Sequence, residues 1–100
     1  MSVHVTTQMK THAEHTNEVI DALREALPHS LQHDGCEAIH LRQEQDNPSN
    51  IVSFTQWATR KHYEDYLAWR TATGMTDQID AMLTEPLIIG YFDDLVSITR

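Results

Sequence analysis

Residues 36–57 read CEAIHLRQEQDNPSNIVSFTQW, and the parsing of this stretch decides the fold. Cys36 to Glu44 is a strand candidate, apolar at Ile39 and Leu41 on one face. Asp46-Asn47-Pro48-Ser49-Asn50 then packs five turn-forming residues together, and Ile51 to Trp57 resumes an extended pattern. The stretch therefore reads as a β-hairpin. Its second strand alternates strictly: Ile51, Ser53, Thr55 and Trp57 share one face, and Val52 and Phe54 share the other.

Working outward, each side of the hairpin supplies one more strand and one helix. Upstream, Val3 to Met9 alternates apolar and polar residues and is rich in β-branched side chains, as a half-buried strand requires. Thr11-His12-Ala13-Glu14 has the form of a capping box, and a helix follows with Ala13, Val19, Ile20, Leu23 and Leu27 near one face. Pro28 predicts a kink or restart, with the helix closed by Asp34-Gly35. Downstream, Arg60 to Thr73 reads as a helix closed by Gly74. Thr76 is positioned to cap a short helix through Leu83, with Ile79, Met82 and Leu83 on one side. Leu87 to Phe92 reads as a fourth, well-buried strand, interrupted by Asp93-Asp94, and Leu95 to Ile98 resumes an extended pattern reaching beyond the domain.

The order βαβ then βαβ, split near residue 49, predicts an α+β fold. This is a ferredoxin-like split βαβ sandwich, with a four-stranded antiparallel sheet and helices on one face. The uncovered face carries Val52 and Phe54 and needs a partner, so a homodimer through the sheet faces is expected.

Composition narrows the function classes. One hundred residues make one domain, 1–100. The net charge of −8 argues against a nucleic-acid backbone or an anionic membrane surface as partner. A single cysteine, Cys36, excludes an intrachain disulfide and reads as an inert buried thiol of a reducing compartment. With neither a secretory leader nor an apolar run of ~18–20 residues, the expected location is cytoplasmic.

Five of the seven aromatic rings fall between residues 54 and 69: Phe54, Trp57, Tyr63, Tyr66 and Trp69. An aromatic cluster in a small domain is commonly plain core. Here polar groups come with it. Tyr63, Tyr66 and Arg70 lie at i, i+3 and i+7 on one helix stripe, facing a strand that offers Ser53 and Thr55, and buried hydroxyls need partners. That composition suits the wall of a small-molecule pocket, with Trp57 giving a flat face and an indole donor and Tyr63 a phenol able to donate or relay a proton.

Among the histidines, the pairs His12/His15 and His29/His33 have helix spacing but no fixed carboxylate or thiolate beside them, and read as surface residues rather than metal ligands. His40, expected to face the sandwich, and His62, at the start of the second helix, are the better site candidates. No metal site is expected. The three isolated glycines form no phosphate loop.

Several features together resemble the antibiotic biosynthesis monooxygenase domain superfamily along residues 3 to about 95. They are Gln56-Trp57 at a strand end, Tyr63 early in the next helix, Gly35-Cys36 entering the second strand, and the closing Glu85-Pro86-Leu87-Ile88-Ile89-Gly90-Tyr91-Phe92-Asp93. The resemblance implies a dimeric α/β barrel and a cofactor-independent monooxygenase. Such an enzyme would use O2 to oxidise a quinol, anthrone or other small phenolic held between sheet and helices. It assigns Trp57 and Tyr63 catalytic roles and brings Ser53, Tyr66 and Arg70 to the substrate, to which the reading of the residues adds Thr55, Trp69, His40 and His62. Ser53 stands where characterised members carry Asn, Tyr66 where many carry His, and Arg70 near the position of a helix Arg.

Two other functions fit the same fold: an isomerase of a small oxygenated metabolite, working through His40 or His62, and a non-catalytic dimeric small-molecule-binding module. Haem-degrading relatives resemble one another in a helix Trp followed ten residues later by a His ligand. Here Trp69 is followed at that distance by Ile79, so that ligand is missing.

Overall fold

A computed structural model describes all of residues 1–100. Strands β1 (Val3–Lys10), β2 (Cys36–Gln43), β3 (Asn50–Trp57) and β4 (Ile88–Phe92) form one antiparallel sheet in the order β2-β3-β1-β4. Helices α1 (Thr16–Ser30), α2 (Arg60–Ala72) and α3 (Met75–Asp80) lie on one face of it. This is the ferredoxin-like arrangement, with the 36–57 hairpin joining its two halves.

Register puts each alternating row on its proper side. Val3 pairs with Trp57, Val5 with Thr55, Thr7 with Ser53 and Met9 with Ile51, and this row faces the helices. Thr6 pairs with Phe54, and His40 lies opposite Phe54 on its other side, so Phe54 and Trp57 point to opposite faces. The helix-facing side holds two separate cores. Met9, Ile51, Val19, Leu23, Ile79 and Leu83 form one. Val5, Trp57 and Tyr63 form the other, with Tyr66, Leu67, Ile89 and Tyr91 packed against it. Only 13 of 100 residues are buried, a thin core that leaves the outer sheet face, with Phe54, Ile88 and Phe92, open to solvent.

Several local expectations are corrected. The Thr11 capping box does not form: Thr11 is buried, and its hydroxyl meets Thr16 Oγ1 at 2.6 Å and donates to the Ser49 carbonyl at 3.0 Å. A 3₁₀ turn over Ala13–His15 intervenes before α1. Pro28 does not restart the helix. It sits in the last turn, where the missing N–H removes only one hydrogen bond, and α1 ends at Ser30.

Gly35 is therefore no helix cap but the left-handed corner (φ +83°) that turns the chain into β2. A Cβ on it would overlap the His62 ring. Thr59 caps α2 by accepting from the His62 backbone N–H at 3.2 Å. Left-handed Gly74 precedes α3, and Thr76 lies inside that helix. Strand β4 is a half-exposed edge rather than a well-buried strand, because β1 alone pairs with it. Leu95, Val96 and Ile98 lie exposed beyond it.

Candidate active site

The two cores do not meet completely, and a cavity of about 90 Å³ lies between them. Its floor is Thr7 and Met9 of β1, its walls are Leu23, Ala26 and Leu27 of α1 and Met75 and Ile79 of α3, and Tyr63, Tyr66 and Arg70 of α2 close one end. Arg70 is the single charged side chain in this lining.

Helical spacing aims the polar end. Tyr63 is buried, and its phenol oxygen lies 3.3 Å from Thr7 Oγ1. Burial pushes the Tyr63 phenol above its ordinary value, the Thr7 hydrogen bond opposes this, and the neighbouring Tyr91 and Tyr66 add to it. Tyr63 is therefore a hydrogen-bond donor at neutral pH. The Tyr66 oxygen lies 2.8 Å from Ser30 Oγ and accepts from Arg70 Nε at 3.1 Å. Arg70 Nη2 donates to Ser30 Oγ at 2.8 Å and to the Ala26 carbonyl at 3.0 Å. Two phenols and a guanidinium thus converge on one end of an otherwise apolar space, a setting able to hold an oxygen-bearing ring and stabilise charge on its oxygen.

The remaining sequence candidates are placed differently. Trp57 is fully buried beneath the tyrosines, edge-on to Tyr63 with ring centroids 5.6 Å apart and tilted against Tyr66 at 5.0 Å, and it does not line the cavity. Its indole N–H is already committed, donating to Thr55 Oγ1 at 2.9 Å, while Thr55 donates to the Val5 carbonyl. Ser53 and Thr55 share the helix-facing side with Trp57 but lie outside the cavity lining. Trp69 is 42% exposed and borders a separate surface groove.

His40 does not face the sandwich, because strand alternation turns it to the outer face opposite Phe54. His62 packs on the Gly35 corner with Nδ1 2.7 Å from the Thr59 hydroxyl, a structural position away from the cavity. The Cys36 thiol is half-buried and raised by desolvation and the neighbouring Glu37 carboxylate, against a lowering backbone hydrogen bond at Ala38.

Two neighbours, Thr7 and Ser30, escaped the sequence reading, and a third, His33, was expected on the surface. Thr7 sits in the inward row Val3, Val5, Thr7, Met9, and Ser30 continues the Leu23, Leu27 stripe by a further helical step. A polar residue in an apolar row was the available signal for both. His33, four residues from His29, lies beyond the end of α1, where helix spacing no longer sets its direction. Its ring lies edge-on to Tyr66, with centroids 5.2 Å apart, and tilted against Trp69 at 4.5 Å.

The fold and cavity define a ferredoxin-like domain with a partly open, polar-ended space under its helices. The chain belongs to the antibiotic biosynthesis monooxygenase family, whose profile matches residues 2–76. Among solved structures it is similar to an antibiotic biosynthesis monooxygenase (21% identity, TM-score 0.84, covering 94% of this chain and 99% of that one). It is also similar to SnoaB, a cofactor-independent oxygenase from Streptomyces nogalater solved in a mutant form (15%, TM-score 0.83, 99% and 98%). A third likeness is to a conserved protein from Methanosarcina mazei Go1 (14%, TM-score 0.84, 92% and 91%). At these identities the likeness is one of fold. No curated protein matches the chain. No helix is long and apolar enough to cross a membrane.

Proposed function

We propose that the chain is a cofactor-independent monooxygenase that uses O2 to oxidise a small phenolic, quinol or anthrone-like substrate, acting as a homodimer joined through the outer sheet faces. The observation that carries this reading is the convergence of Tyr63, Tyr66 and Arg70 on one end of an apolar cavity in a member of this family.

The chemistry needs no outside reductant. The substrate, bound as its phenolate or enolate, transfers one electron to O2. The resulting radical pair joins at a ring carbon as a hydroperoxide, which loses water. A ring C–H (or an anthrone CH2) becomes C=O, one oxygen atom enters the product and the other leaves as water, so O2 takes all four electrons from the substrate. Arg70 and Tyr66 face the oxyanion that this requires, Tyr63 donates a further hydrogen bond, and the leucine, isoleucine and methionine walls keep water out. Trp57 supports the two tyrosines from below rather than touching substrate.

The cavity of about 90 Å³ is below the ~300 Å³ at which small-molecule sites ordinarily begin, so a substrate larger than one ring enters with movement of its walls. The experiment is O2 consumption by metal-stripped protein with hydroquinones and anthrones, compared with Tyr66→Phe. Uptake that the substitution removes supports the assignment, and activity without O2 moves it to the isomerase.

A further inference from the structure

Arg70 is a cation without a counter-ion. Its hydrogen-bond acceptors are Tyr66, Ser30 and the Ala26 carbonyl, all neutral, and none of the chain's ion pairs includes it. A half-buried guanidinium ordinarily finds a carboxylate, and this chain of net charge −8 has fifteen to offer. The Nη1 donors of Arg70 are left over from these bonds. The same side chain lines two spaces. Inward is the 90 Å³ cavity, and outward is an open groove of about 570 Å³ bordered by His29, Gln32, His33, Asp34 and Trp69. Arg70 also lies over the Trp69 ring, 4.6 Å from its centroid.

We propose that the outer groove is a second binding subsite, for a planar aromatic ring bearing a carboxylate, with Arg70 as the residue common to both compartments. The anionic group takes the Arg70 Nη1 donors and the ring lies on the exposed part of Trp69, beside His33. This rests on the reading of the inner cavity as a substrate site and extends it. A bicyclic substrate would place one ring at each side of the guanidinium, and the small inner volume then selects for the part that reacts, not for the whole molecule. Asp34, in the same groove, is a like charge that weakens such a ligand.

The test uses 2-naphthoate, a bicyclic carboxylate that cannot be oxidised in the proposed manner, against its neutral analogue 2-naphthamide. Binding is followed through the two tryptophan indole N–H signals in NMR, with Trp69→Phe assigning them. The naphthoate is expected to shift the Trp69 signal more than that of buried Trp57 and to bind about 10-fold more tightly than the amide, the size of one charge-assisted hydrogen bond. Arg70→Gln should remove that preference, Trp69→Ala should weaken both ligands, and Asp34→Asn should tighten the naphthoate. Equal affinity for the two ligands, absence of binding at millimolar concentration, or unchanged binding in the surface variant Trp69→Ala overturns the subsite. Failure of O2 consumption alone leaves this result standing, because the probe never turns over.

Discussion

The indole N–H of Trp57 donates to the hydroxyl of Thr55, two residues earlier on the same strand, at 2.9 Å. A tryptophan that a sequence comparison places at the reaction centre is thus tied into the sheet, with its ring face under Tyr66 and its donor spent. The role we propose for it is to hold the tyrosines at their height above the strand.

Trp57→Phe should accordingly behave as a packing change. The smaller ring leaves a gap under Tyr63 and Tyr66, and stability should fall by about 2 kcal/mol, or about 10 °C in Tm. Thermal denaturation of the variant beside Tyr66→Phe separates the roles. The tryptophan variant should lose mainly stability, and the tyrosine variant mainly activity.

Tyr63 predicts a loss of stability in alkali. Its phenol is raised in the folded protein, so the folded state holds the proton more tightly than the unfolded chain. The contribution is fully present below the ordinary phenol value of about 10 and is lost as pH rises from there through the folded value. Denaturant melts between pH 9 and pH 12 should show this decline in the wild type and a shallower one in Tyr63→Phe. Parallel slopes would contradict it.

The two left-handed glycines differ in what surrounds them. Around Gly74 nothing lies within 4 Å of a built Cβ, so Gly74→Ala should cost only the backbone term, about 1 kcal/mol. At Gly35 the same methyl would overlap the His62 ring, and Gly35→Ala should cost clearly more. Adding His62→Ala to Gly35→Ala should recover only part of the excess, because the Cβ of residue 62 stays in the way, and a double-mutant cycle by urea denaturation would measure the share.

The outer sheet face makes a prediction about assembly. Phe54 is 38% exposed there, on the same face as Phe92 and Ile88, with Arg42 over its ring at 4.8 Å. Phe54→Lys should convert a dimer to a monomer in sedimentation velocity while leaving the circular dichroism of the fold intact. A wild-type chain that sediments as a monomer at micromolar concentration contradicts the proposed sheet-to-sheet assembly.

The fold was largely legible because its signals are local and periodic. The turn at 46–50 sets the hairpin, and strict alternation from Ile51 to Trp57 fixes which side chains face the helices. What misled were cues with more than one use. Thr11 has the spacing of a cap but is drawn into a tertiary bond with Ser49, and the run Leu87 to Phe92 is apolar enough for a central strand yet has only one neighbour. At the site, helix spacing brought Tyr63, Tyr66 and Arg70 together correctly on one stripe. The bond from Ser30 to Tyr66 joins elements distant in sequence and lies beyond helix spacing, whereas the outward side of His40 follows from the inward Ile39 and Leu41, and the Trp57 N–H is spent locally on Thr55.

Oxygen consumption is the most direct test of the central claim. Metal-stripped protein would be given a series of hydroquinones and anthrones in an oxygen electrode, with protein-free autoxidation subtracted and Tyr66→Phe and Arg70→Gln run alongside. The account predicts uptake above background for at least one substrate, matched mole for mole by carbonyl product, and a loss of about 100-fold when either group facing the oxyanion is removed. Uptake no faster than autoxidation across the series, or a rate indifferent to both substitutions, would contradict it.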